Sequence, residues 1–192
     1  MDANWECWNR NAGSYDRDNV KGNDEVYGKL ESLLGRYLTR DMEVLELASG
    51  SGNLAIALAS SVSSWRGVDY SDEMVDESNN IHIPNAVFET GDVQELRFTD
   101  SSFDAVVFIN ALQVIPNPMK SLKEARRVLK KDGLLLCSAI LSTTAEEASP
   151  VCHHWDGRDV LGLVDEAGFL ALDYHIIISS DECIIFVKAE RM

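Results

Sequence analysis

An α/β fold built on a doubly wound, mostly parallel sheet is what this 192-residue sequence predicts. Three observations carry the prediction. Short apolar runs alternate with segments of helical spacing along most of the chain. Asp104-Ala105-Val106-Val107-Phe108-Ile109 is almost continuously apolar, as strands covered on both faces are. The last two runs are joined only by Ser179-Ser180-Asp181-Glu182, enough for a hairpin and too short for a parallel crossover.

The elements follow in order. Residues 1–23 are polar with Trp5, Trp8 and Tyr15, and read as an arm or short helix. Val26, Leu30, Leu33, Leu34, Tyr37 and Leu38 recur at helical spacing, with Asn23 or Asp24 as a cap. Residues 44–47 read as the first strand, 54–58 as a helix, 65–68 as the second strand, 71–79 as a helix opening with acids, and 86–89 as the third strand. Residues 104–109 form the fourth strand. Pro118 opens a helix to Leu129 that Gly133 ends, and 134–137 form the fifth strand. Residues 141–156 are polar and irregular. Val160, Leu161, Val164 and Ala167 mark a helix closed by Gly168, and 172–178 and 183–187 form the hairpin. In such sheets a ligand lies at the carboxyl ends of the strands, beside the switch point.

Composition narrows the function. The 32 acids outnumber the 17 bases, for a net charge of −15. That balance disfavours nucleic acid, whose binding runs on phosphate neutralisation, and disfavours anionic membranes. No apolar run approaches the roughly 20 residues that span a bilayer, and the N-terminus lacks the pattern of a signal peptide. The four cysteines form no CxxC pair and read as reduced thiols, so a cytoplasmic protein is expected.

The strongest local signal is Val44-Leu45-Glu46-Leu47-Ala48-Ser49-Gly50-Ser51-Gly52-Asn53, a strand, a turn of small residues and a helix start. Such a turn lets a ligand approach the backbone and the helix-terminal N–H groups. Gly50 to Ala55 also fits the dinucleotide pattern, and Asp69 follows Gly50 by 19 residues, near the ribose-acid spacing of nicotinamide-binding folds. A NAD(P)-dependent oxidoreductase and an S-adenosylmethionine (SAM) enzyme therefore compete. Glu46 before the loop repels a pyrophosphate and suits a cationic amino group. Gly91-Asp92 offers an acid beside an adenine amine. The C-terminal hairpin is unlike the second half of a dinucleotide domain.

Glu46 to Gly52, Gly67-Val68-Asp69-Tyr70-Ser71, Gly91-Asp92 and Arg127-Val128-Leu129-Lys130-Lys131-Asp132-Gly133 together resemble class I SAM-dependent methyltransferases, in the small-molecule branch seen in ubiquinone and menaquinone biosynthesis. Ala167-Gly168-Phe169 and Tyr15-Asp16 fit as well. The resemblance implies a Rossmann-like, seven-stranded sheet with the last strand antiparallel and helices on both faces. It implies methyl transfer from SAM to a small-molecule acceptor by in-line displacement. A SAM-binding protein without transferase activity is the alternative.

The resemblance also implies roles. Asp69 accepts from the ribose hydroxyls. Glu46 meets the methionine end, with Ala48, Gly50, Gly52 and Asn53 forming the loop. Asp92 and the backbone of Val93 meet the adenine edge, and Tyr70 and Met74 flank the ring. Asn110 lines the reaction site, and Tyr15 closes over the methionine end. Plainer readings stand beside these: Asp69 and Asp92 as caps, Glu46 as a buried acid with a structural partner, Met74 as core. Three positions depart from the family pattern: Ala48 replaces the usual first glycine, Asp132 replaces a glycine in a turn, and Gln113 stands where many relatives have His.

Cys152-His153-His154 is no metal site by its spacing, since adjacent histidines point apart and no further cluster exists. His153, His154 and Asn110 are the candidates for catalytic groups, the histidines as a base near neutral pH. The chain reads as one domain, 1–192. Residues 1–40 are an arm and helix forming part of a lid, 41–140 the SAM-binding core, and 141–192 the substrate-side loop, helix and hairpin. The arm and the 142–156 loop are expected to meet as a mobile lid.

Overall fold

The structure, a computed structural model, describes residues 24–141, 153–179 and 182–192. The chain divides into two compact units, 1–93 and 94–192.

The first unit contains α1 (Asp24–Tyr37), β1 (Glu43–Leu47), α2 (Asn53–Leu58), β2 (Ser64–Asp69), α3 (Asp72–Asn80) and β3 (Ala86–Thr90). Val26, Leu30, Leu33 and Leu34 form the buried stripe of α1. The three strands are parallel, with β2 in the middle. Ser71 is the cap of α3 rather than its first residue: its hydroxyl accepts from Met74 N–H at 3.2 Å. Asp72 and Glu73 then occupy the first turn, where acids suit the helix dipole.

The second unit contains β4 (Phe103–Phe108), α4 (Pro118–Val128), β5 (Leu129–Leu141), α5 (Gly157–Glu166), β6 (Phe169–Ile178) and β7 (Cys183–Arg191). Its strands run in the order β4-β5-β7-β6. β4 and β5 are parallel, and β7 is antiparallel to both of its neighbours. The last strand is thus antiparallel as the sequence predicts, and it is inserted between β5 and the edge strand β6. The whole is a seven-stranded mixed sheet.

Two boundaries differ from the periodicity. Gly133 does not end α4, which stops at Val128. β5 begins at once, and its pairing with β4 jumps from Phe103–Leu129 to Ala105–Leu134. The intervening residues bulge, with Asp132 at φ 61°. Gly133 is needed inside that bulge, because a Cβ there would lie 2.8 Å from the Lys130 carbonyl oxygen. Helix α5 begins three residues before its first buried residue, Val160. Asp156 and Asp159 form a capping box at its start.

Trp5, Trp8, Tyr15 and the loop over 142–152 lie outside the described residues, and so does the expected lid. Among the described residues no helix is long and apolar enough to cross a membrane.

Candidate functional site

The loop after β1 is held in a conformation few residues favour. Ala48, Gly50 and Gly52 have φ of 55°, 53° and 84°. Two of these are glycines, for which the left-handed region is open; Ala48 carries a Cβ there at some strain. Ser49 N–H donates to the Val68 carbonyl at 3.2 Å and Gly52 N–H to the Ser49 carbonyl at 3.1 Å.

Asp69, at the end of β2, fastens this loop. One carboxylate oxygen accepts from Gly50 N–H at 2.8 Å and the other from Ser71 N–H at 2.9 Å. Its carbonyl accepts from Gly91 N–H at 2.8 Å. One residue thereby ties together the ends of all three strands of the unit. Burial raises the Asp69 carboxyl above its ordinary value, opposed by the donors of Ser71, Gly50 and Tyr70.

Beneath the loop the strands are shaped to receive it. Glu46, Gly67 and Phe88 form one row across β1, β2 and β3. A Cβ on Gly67 would stand 2.3 Å from the Phe88 ring, so the ring occupies the space a side chain would fill. A Cβ on Gly52 would meet the same ring at 3.0 Å. The sequence reading assigned no role to Gly67, Phe88 or Trp65; the row becomes visible only once strand register is known.

Glu46 is 5% exposed, and the Trp65 indole N–H donates to it at 2.9 Å. Burial pushes its carboxyl up to about 8, against the pull of the Trp65 hydrogen bond and with the Asp69 charge adding to the push. A buried acid poised this way has much to gain from a cation. The structural partner weighed for Glu46 therefore exists, and it leaves the acid poised to ionise.

The remaining candidates of this unit are spread around the loop. Tyr70 is 57% exposed, while Met74 is buried with its sulfur 4.0 Å from where a Cβ of Gly50 would lie. Met74 thus packs as core under the loop. Asp92 is half-buried, Val93 is buried, and Asn53 is the first residue of α2.

In the second unit Asn110 is at φ 52° after β4, a conformation Asn tolerates better than most. Its N–H donates to Ser138 Oγ at 2.9 Å, and that hydroxyl donates back to Asn110 Oδ1 at 2.7 Å. Gln113 Nε2 donates to the Asn110 carbonyl at 2.7 Å. His153 N–H donates to the Gln113 carbonyl at 2.7 Å, and its ring Nε2 lies 2.9 Å from the Ile115 carbonyl. A carbonyl only accepts, so that nitrogen carries a proton, and a base role would fall to Nδ1. His154 is exposed. Among the described residues no group of three or more His, Cys, Asp or Glu could hold a metal ion.

Residues 45–137 match the methyltransferase domain family. The chain is a class I SAM-dependent methyltransferase. The methyltransferase is 34% identical over 103 residues to the demethylmenaquinone methyltransferase of Staphylococcus aureus, a match covering 51% of this chain and 43% of that protein. It thus spans less than half the length of this relative. Among solved structures, a SAM-dependent methyltransferase of Thermotoga maritima has TM-score 0.81 at 18% identity, covering 98% of this chain and 100% of that one. A chain of the Haloferax volcanii complex between the activator Trm112 and a methyltransferase has TM-score 0.77 at 19% identity, covering 93% and 96%. The [4+2]-cyclase SpnF has TM-score 0.77 at 16% identity, covering 85% and 80%. At these identities the likeness concerns fold.

Proposed function

We propose that this methyltransferase binds SAM on its first unit and transfers the methyl group to a small-molecule acceptor. The observation that carries the reading is the pair of acids, Glu46 and Asp69, at the ends of β1 and β2 around a loop with three left-handed residues. SAM carries a cationic amino group and a ribose diol, and its sulfonium supplies an electrophilic methyl.

The residues fit that group in chemistry. Glu46 gains a cation for its buried carboxyl. Asp69 is half-buried, and each of its oxygens retains a lone pair beyond the one its backbone donor uses. Ala48, Gly50 and Gly52 present backbone without bulky side chains. Asp92, Val93 and Tyr70 serve the adenine end. Methyl transfer from a sulfonium disperses charge, so the protein supplies alignment and a dry site more than proton transfer.

A nicotinamide dinucleotide suits the site poorly, because its pyrophosphate would face Glu46. The fold shared with a cyclase keeps a second reading, SAM binding without methyl transfer, as a distinct outcome. Calorimetry with S-adenosylhomocysteine (SAH) and with NAD tests binding. Transfer of radiolabelled methyl from SAM to a metabolite extract tests the reaction. Binding of NAD with no binding of SAH overturns the proposal. Binding of SAH without transfer selects the second reading.

A further inference from the structure

At the carboxyl ends of β4 and β5, one polar cluster is closed on itself at every recorded point but one. Asn110 and Ser138 bond to each other twice, and Gln113 Nε2 donates to the Asn110 carbonyl. Because that carbonyl can only accept, the two ends of the Gln113 carboxamide are assigned by chemistry: nitrogen toward Asn110, and Oε1 at the other end. Oε1 is buried and has no hydrogen-bond partner, in a residue only 5% exposed. Buried carbonyls without a donor are rare in native folds and costly to leave so.

The neighbouring side chains are aromatic. His153, whose N–H donates to the Gln113 carbonyl, stacks on Trp155 with ring centroids 5.0 Å apart and planes 5° apart. Both residues are half-exposed. An unused acceptor beside a partly exposed aromatic pair suits a flat ring that carries a donor.

We propose that Gln113 determines acceptor specificity: its Oε1 accepts a hydrogen bond from an O–H or N–H on an aromatic acceptor seated against the His153–Trp155 pair. This rests on the methyl-transfer reading. A carboxamide does not titrate, so Gln113 selects and positions the acceptor and takes no proton from it.

The test uses the full chain saturated with SAH and titrated calorimetrically with 1-naphthol, 1-naphthylamine and 1-methoxynaphthalene. One or both of the donor-bearing probes should bind about ten-fold tighter than the methoxy compound. The tighter of the two says whether the donor is a hydroxyl or an amine. Gln113→Met keeps the side-chain length without the carbonyl and should bring the ratio near one with SAH affinity unchanged. Should that variant not fold, Trp155→Ala decides: all three probes weaken together and the ratio survives. Equal affinity of the wild type for all three probes, binding of none, or a Trp155→Ala variant indistinguishable from wild type overturns the proposal. Failure of SAH itself to bind would instead overturn the SAM reading.

Discussion

Trp65 and Glu46, on neighbouring parallel strands, are joined by a hydrogen bond of 2.9 Å from the indole nitrogen to the buried carboxyl. Their positions put both side chains on one face of the sheet, the face that also holds Gly67 and Asp69. The bond partly offsets the burial of Glu46, whose carboxyl still titrates near 8.

Stability should therefore fall as pH rises. An acid whose pKa is raised by folding holds its proton longer in the folded state. Its contribution is fully present below the ordinary value of 4.5 and is lost by about 8. The slope in that window is at most about 1.4 kcal/mol per pH unit for this group. Denaturant midpoints from pH 5 to 8 should show it, and Glu46→Gln should flatten it.

Ligand binding should release a proton. A cationic amino group near Glu46 favours the carboxylate, so SAH binding at pH 7 drives off the proton Glu46 holds. Calorimetric heats should differ between phosphate and Tris buffers by an amount that Glu46→Gln abolishes. Identical heats in both buffers for the wild type would remove Glu46 from the cofactor site.

Replacing Trp65 by Phe keeps most of the packing and removes the donor. The carboxyl loses a hydrogen bond that lowers its pKa, so the stability loss with pH should extend to higher pH. The variant should be destabilised by about 1–3 kcal/mol, read from chemical denaturation.

Asp69→Asn retains the shape and loses the charge. The carboxamide can still accept from one of Gly50 and Ser71 but not both, and it binds a diol less well. SAH affinity should fall about ten-fold or more. An unchanged affinity would leave Asp69 as a clamp for the loop alone.

Ala48→Gly should stabilise the protein. The left-handed φ of 55° is strained for alanine, and the gain should be roughly 0.5–1 kcal/mol after the added freedom of glycine in the unfolded chain is subtracted. Thermal denaturation measures it.

The order and type of the described elements were legible because the helical and strand periods alternate cleanly. The buried run 104–109 and the short link after Ser179 fixed the parallel part and the hairpin. Boundaries set by caps were missed at Ser71 and Asp156, whose capping roles depend on where the backbone turns. Gly133 was misplaced because a glycine after a helix has the same look whether it ends the helix or fits a bulge. At the site, Glu46, Gly50, Gly52 and Asp69 announced themselves by residue type at a strand end. Trp65 and Phe88 did not, since their roles arise from cross-strand neighbours nineteen or more positions away. The unpartnered carbonyl of Gln113 depends on which end of a side chain meets Asn110, which no spacing records.

The Phe88 ring that fills the gap at Gly67 makes three distant positions vary as one. A methyl at 67 must displace the ring, and the ring supports Gly52 in the loop above. Gly67→Ala alone should cost about 1–3 kcal/mol and loosen SAH binding, while Gly67→Ala with Phe88→Leu should recover most of both. Among homologous sequences, a side chain at 67 should arrive together with a smaller residue at 88. Drift in a ligand-binding loop is thereby policed from a strand two positions across the sheet.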